Sequence, residues 1–107
     1  LTTGYATTAT LGGFIGADGV GLDIIGAWET GSASTTTLKI TITYKSTGLS
    51  DVITLSSATV GVVVTSTTPS LTNYVEGECL LIIEAKNTVA DSTLYGVEIR
   101  QTPLLTL

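Results

Sequence analysis

From Thr35 to Lys45 the chain carries its cleanest alternation: Leu38, Ile40, Ile42 and Tyr44 fall on one side, and Thr37, Lys39, Thr41, Thr43 and Lys45 on the other. A two-residue period sends successive side chains to opposite faces of an extended backbone, so this segment reads as a strand with one face in a core and one in water. β-Branched residues dominate the rest of the chain, and no window rich in Leu, Ala, Glu and Lys shows a 3.6-residue period. The expected fold is therefore all-β with little helix.

Further strands follow from the same reading. Ser46-Thr47-Gly48 supplies a turn, and Asp51 to Ser56 and Ala58 to Thr65 are the next two strands. Val60-Gly61-Val62-Val63-Val64 and Cys79 to Ile83 are apolar on both faces, which predicts central strands or strands at an interface. A loop at Ser66 to Asn73, with Pro69, separates them, and Glu76-Gly77-Glu78 leads into the second. Lys86 to Ser92 is a connection, followed by a strand from Thr93 to Gln101 in which Tyr95, Val97 and Ile99 share a face until Pro103 ends it. Upstream, Leu1, Tyr5, Ala9, Leu11 and Ile15 alternate with small or polar residues; Asp18-Gly19 then sits where a hairpin turn would lead to a partner strand, Val20 to Ile25. Gly26 to Thr35 reads as a flexible connection anchored by Trp28. Seven or eight short strands at this spacing predict one antiparallel β-sandwich, Ig-like or jelly-roll-like, spanning residues 1–107.

The composition argues against chemistry. There is no histidine, one cysteine, and 12% charged residues, so the groups that transfer protons, ligate metals or attack carbonyls are nearly missing. Nucleophilic catalysis by one of the many Ser or Thr residues would need Lys as its base, yet Lys39 and Lys45 lie on a polar strand face. Glu76 and Glu78, on one face beside a turn, read as a solvated strand entry rather than a glycosidase pair. Asp18 and Asp23 bracket a Gly-containing segment similar to a calcium loop, but the closing bidentate Glu is missing, and a hairpin turn is the simpler reading. Cys79 reads as a small core residue. The expectation is a protein that is not an enzyme and holds no cofactor or metal.

Nine acids against four scattered bases give a net charge of -5, which disfavours nucleic acid. No run of about 18 apolar residues is present to form a membrane-spanning helix. The chain has no Met and starts at Leu1, which fits removal of a leader from a secreted or virion protein. No Asn-x-Ser/Thr sequon occurs; about a fifth of the chain is Thr, and runs such as Ser34 to Thr37 and Ser66 to Thr68 serve either β-propensity or O-linked sugar. Apolar residues make up 43%, more than a small soluble monomer needs, so part of that surface is expected to meet a partner.

The two ends point to where. Leu104, Leu105 and Leu107 follow Pro103, and burying them in a neighbour would contribute roughly 1.5–3 kcal/mol each. Residues 1–17 carry no charge, and no Lys or Pro protects them as an edge strand. On Leu1 to Ala17, the strand train after Val20, and the Thr-rich, charge-poor composition, the chain resembles β-sandwich subunits of archaeal and bacterial extracellular filaments, of the thread and bundling-pilus type. That resemblance implies donor-strand complementation: the N-terminal strand completes the sheet of the next subunit and copies form a homopolymer at the cell surface. Tyr5, Ala9, Leu11 and Ile15 are then the inserted side chains, with Leu1, Leu104, Leu105 and Leu107 completing the subunit interface. The sequence departs from the pattern in lacking the sequons of heavily N-glycosylated threads, and Asp18-Gly19 allows the first strand to fold back on its own domain. A virion shell, decoration or tail protein and a carbohydrate-binding sandwich using Trp28, Tyr44, Tyr74 and Tyr95 are the alternative functions.

Overall fold

The computed structural model describes residues 4–16, 20–31, 35–67, 69–87 and 92–103. Leu1, Asp18, Leu104, Leu105 and Leu107, and with them the expected hairpin turn, the full calcium loop and the tail contacts, lie outside the described residues. Seven strands form: β1 (Ala6–Ile15), β2 (Val20–Thr30), β3 (Thr36–Tyr44), β4 (Ser50–Ser57), β5 (Gly61–Thr67), β6 (Gly77–Asn87) and β7 (Ser92–Pro103). They build a four-stranded sheet in the order β1-β6-β3-β4 and a three-stranded sheet in the order β5-β2-β7, with antiparallel pairing throughout. The chain is an all-β sandwich.

The alternation in β3 decides the core. Leu38, Ile40, Ile42 and Tyr44 are all buried, and Ile53 and Leu55 of β4, Cys79, Ile83 and Ala85 of β6, and Ile24 and Trp28 of β2 close around them. Among the described residues, only β3 and β4 form a hairpin within one sheet. Its turn is the one expected at Ser46-Thr47-Gly48: Gly48 takes φ 73° and donates its N–H to the Tyr44 carbonyl at 2.8 Å.

Four expectations are corrected. The segment from Gly26 is no connection: β2 runs on to Thr30, paired with β5 on one side and β7 on the other. Glycine there answers a packing need, because a Cβ on Gly26 would lie 2.8 Å from the Trp28 ring and 3.2 Å from Leu38 Cδ2. Next, β1 and β2 lie in different sheets, so the strand from Val20 is not the pairing partner of β1, which pairs with β6. β5, expected to be central or to lie at an interface, is not central but an edge strand; Val63 packs on the core while Val62 and Val64 point outward, 67% and 70% exposed. Only the second such run, in β6, is central.

Finally, Tyr95 does not share a face with Val97 and Ile99. The ladder between β2 and β7 passes from Ala27↔Gly96 to Trp28↔Leu94, and this bulge at Tyr95 reverses the parity. Leu94, Val97 and Ile99 pack on the core, whereas Tyr95 stands on the outer face and donates its hydroxyl to the Glu29 carboxylate.

At one end of the sandwich, Thr30, Thr36 and Asn87 are buried together. Asn87 Nδ2 donates to Thr36 Oγ1 at 2.7 Å, and the two threonine hydroxyls lie 2.7 Å apart, so strand ends from both sheets are tied by satisfied polar groups.

Candidate functional site

The region the sequence marked for assembly is β1 and the seam it faces. β1 is an edge strand hydrogen-bonded to β6, in register from Ala6↔Ala85 to Ile15↔Gly77. The register slips between Thr7 and Ala9, leaving Thr8 as a bulge whose hydroxyl donates to the Ile83 carbonyl at 3.0 Å. This bulge divides the expected set of inserted side chains. Beyond it, Ala9, Leu11 and Ile15 turn toward the opposing sheet; before it, Tyr5 lies on the outer face, where Lys39 and Lys86 sit 4.2 and 4.5 Å from its ring centroid. A polar bulge residue inside a Thr-rich run carries no pattern that would have revealed this in advance.

The inward set is buried unevenly. Ile15 is fully packed, Ala9 is half-buried, and Leu11 remains 48% exposed. The cause is the strand count. β4 meets β5 along one side of the sandwich, but the three-stranded sheet stops at β7, so among the described residues it has no fourth strand to match β1 on the other side. Two adjoining concavities fill that space. One, of about 260 Å³, is lined by Ala9, Leu11, Leu94 and Val97, with Thr8 and Tyr95 at its margin. The other, of about 190 Å³, is lined by Gly13, Ile15, Ile99 and Leu81, with Cys79 and Ile42 as its floor. Leu94, Val97, Ile99 and Phe14 were absent from the sequence-derived site, since a wall formed by two distant strands leaves no local pattern.

Other candidate sites resolve into structure. Lys39 and Lys45 pair with Glu84 at 3.5 Å and Glu78 at 2.7 Å. At that exposed pair, hydrogen bonding to Lys45 holds the Glu78 carboxyl below its ordinary range. Burial pushes the Cys79 thiol up, away from the reactive thiolate. Asp23 faces Arg100 across the β2–β7 ladder. Among the described residues, no group of three or more His, Cys, Asp or Glu could hold a metal ion, and no helix is long and apolar enough to cross a membrane. Of the four aromatics considered for a sugar-binding face, Trp28 and Tyr44 are core residues and Tyr74 is half-buried against Tyr44, so they do not form a common outer platform.

Asp51 forms the most developed polar site. Its buried carboxylate accepts the Tyr44 hydroxyl at 2.6 Å, Thr72 Oγ1 at 3.2 Å and the Asn73 backbone N–H at 3.1 Å, clamping the β5–β6 loop to the sandwich. Asn73 Nδ2 adds a bond to the Ser50 carbonyl at 2.8 Å, and the Tyr74 hydroxyl reaches the Gly16 carbonyl just past β1.

Burial, and then the hydrogen bond to Asp51, raises the Tyr44 phenol well above its ordinary value of 10.0. The folded state thus keeps a proton that the unfolded chain releases, so this stabilisation is complete below pH 10 and declines as the pH rises beyond it. Urea titrations from pH 9 to 11.5 are expected to show stability falling above pH 10. In Tyr44→Phe the slope of that fall should be shallower by up to about 1.4 kcal/mol per pH unit, the worth of one proton. An unchanged slope would mean that Tyr44 ionises as freely in the folded protein as in water.

Against protein families, curated proteins and solved structures, this chain gives no match.

Proposed function

We propose that this chain is a structural subunit that assembles with copies of itself into an extracellular filament, β1 leaving its own domain to complete the sheet of a neighbour. The observation that carries this reading is how little of the domain depends on β1. Of the twelve side chains in the core among the described residues, β1 supplies only Ile15. Its attachment is mainly the β6 ladder, which the same strand of another copy can form without loss of hydrogen bonds. β1 and β2 also share no ladder, so withdrawing β1 breaks no pairing between these two consecutive strands. A strand with a portable ladder, a small share of the core and no ladder to the strand that follows it is suited to exchange between copies.

Outward-facing apolar side chains support self-association as well. Phe14 is 67% exposed beside β6, and Val52, Val62 and Val64 stand on the outer faces of edge strands. Such side chains are better covered by another subunit than left to water.

Removing residues 1–10 tests the reading. The truncated protein should keep its near-ultraviolet circular dichroism, form no polymer, and bind a synthetic peptide of residues 1–17 in a one-to-one complex. Polymers of normal length from the truncated protein would refute strand exchange.

A further inference from the structure

We propose that the groove between β1 and β7 is the seat of Leu104–Leu107 from a second copy of this chain. This rests on the homopolymer reading and adds a second contact to it. The groove exists because one sheet is a strand shorter than the other, leaving the free edge of β7 beneath Leu11. From Ser92 to Thr102 that edge contains neither Lys nor Pro. Both chemical requirements for strand addition are therefore present: an outer edge of β7, from Val97 to Arg100, beside which no further strand of its sheet lies among the described residues, and apolar hollows for alternate side chains of the incoming segment.

The chain's own sequence supplies a fitting occupant. β7 ends at Pro103 opposite Val20, and Leu104-Leu105-Thr106-Leu107 follow directly. From Gln101 to Leu107 no side chain is charged, so burying these side chains desolvates no ionised one. In an extended segment Leu105 and Leu107 share a face, whereas Leu104 and Thr106 share the other.

Reach decides which copy is filled. If the segment turned back along its own β7 through a two-residue hairpin, Thr106 would face Pro103 and Leu107 would face Thr102. That leaves Leu107 three residues, about 10 Å, short of Ile99 at the nearer hollow. These leucines thus meet the groove by entering a second copy. Because donor and acceptor are different patches, each subunit gives one tail and receives one, a head-to-tail contact that propagates.

Cys79 on the floor of the nearer hollow provides the test. Leu105→Cys and Leu107→Cys, made singly in the full chain and oxidised with diamide, should give a ladder of disulfide-linked multimers on a non-reducing gel. The ladder should vanish when Cys79→Ser is added. Dimers that survive Cys79→Ser, a crosslink within one chain, or no crosslink between polymerised subunits would each overturn the proposal. Deleting residues 104–107 should raise the concentration at which polymer forms by about tenfold or more, while circular dichroism stays unchanged. Unchanged polymerisation after that deletion would overturn the tail contact and leave β1 exchange standing. A wild-type protein that never associates would instead overturn the homopolymer reading itself.

Discussion

Replacing Trp28 with alanine is expected to cost about 3–5 kcal/mol, a large share of what a domain of this size possesses. The indole is completely buried in the central strand of the three-stranded sheet and fills the volume that Gly26 leaves open. Its removal creates a cavity between the sheets that rigid, doubly paired strands cannot close. Thermal unfolding followed by circular dichroism should show the midpoint falling by roughly 15–30 °C. Trp28→Phe should be much milder. It keeps most of the volume, and the buried Nε1 it removes finds no acceptor among the described residues. A fall of only a few degrees in Trp28→Ala would mean that the sheets pack around some other centre.

Loss of the Asp51 carboxylate is expected to have the second largest effect, about 2–4 kcal/mol in Asp51→Ala. Three donors converge on this group, and in its absence the Tyr44 hydroxyl is left inside the core without an acceptor. The same change releases the loop whose Tyr74 reaches Gly16 at the end of β1. Because Trp28 is the only tryptophan, its emission reports unfolding directly in these variants. Tyr44→Phe combined with Asp51→Ala should lose less than the sum of the two single changes, with a coupling of about 1–2 kcal/mol. Strict additivity would show that the two side chains do not act as a unit.

Strand content and the inward face of β3 were readable from the sequence, because a two-residue period with β-branched residues has one structural solution. What escaped was any feature that depends on a partner strand. The bulges at Thr8 and Tyr95 each reverse the parity of a strand, placing Tyr5 and Tyr95 on faces opposite to the expected ones. Gly26 resembled a loop residue, yet its smallness serves the indole two residues away. Likewise, the Val-rich β5 was compatible with a central or an interface position, and its place at an edge follows from sheet order, which local pattern does not encode. At the candidate site, Ala9, Leu11 and Ile15 share one face of β1, as their spacing implied. The opposing wall of Leu94, Val97 and Ile99 emerged only once β7 was seen as the end of a sheet one strand short.

Sedimentation velocity of the untruncated protein over a wide concentration range tests the central claim that copies of this chain cover one another. Filament assembly predicts species far heavier than the 10.9 kDa subunit, with a mass distribution that keeps growing as concentration rises. A plateau at one fixed large mass would point to a closed shell instead. A single 10.9 kDa species at every concentration would contradict self-assembly altogether.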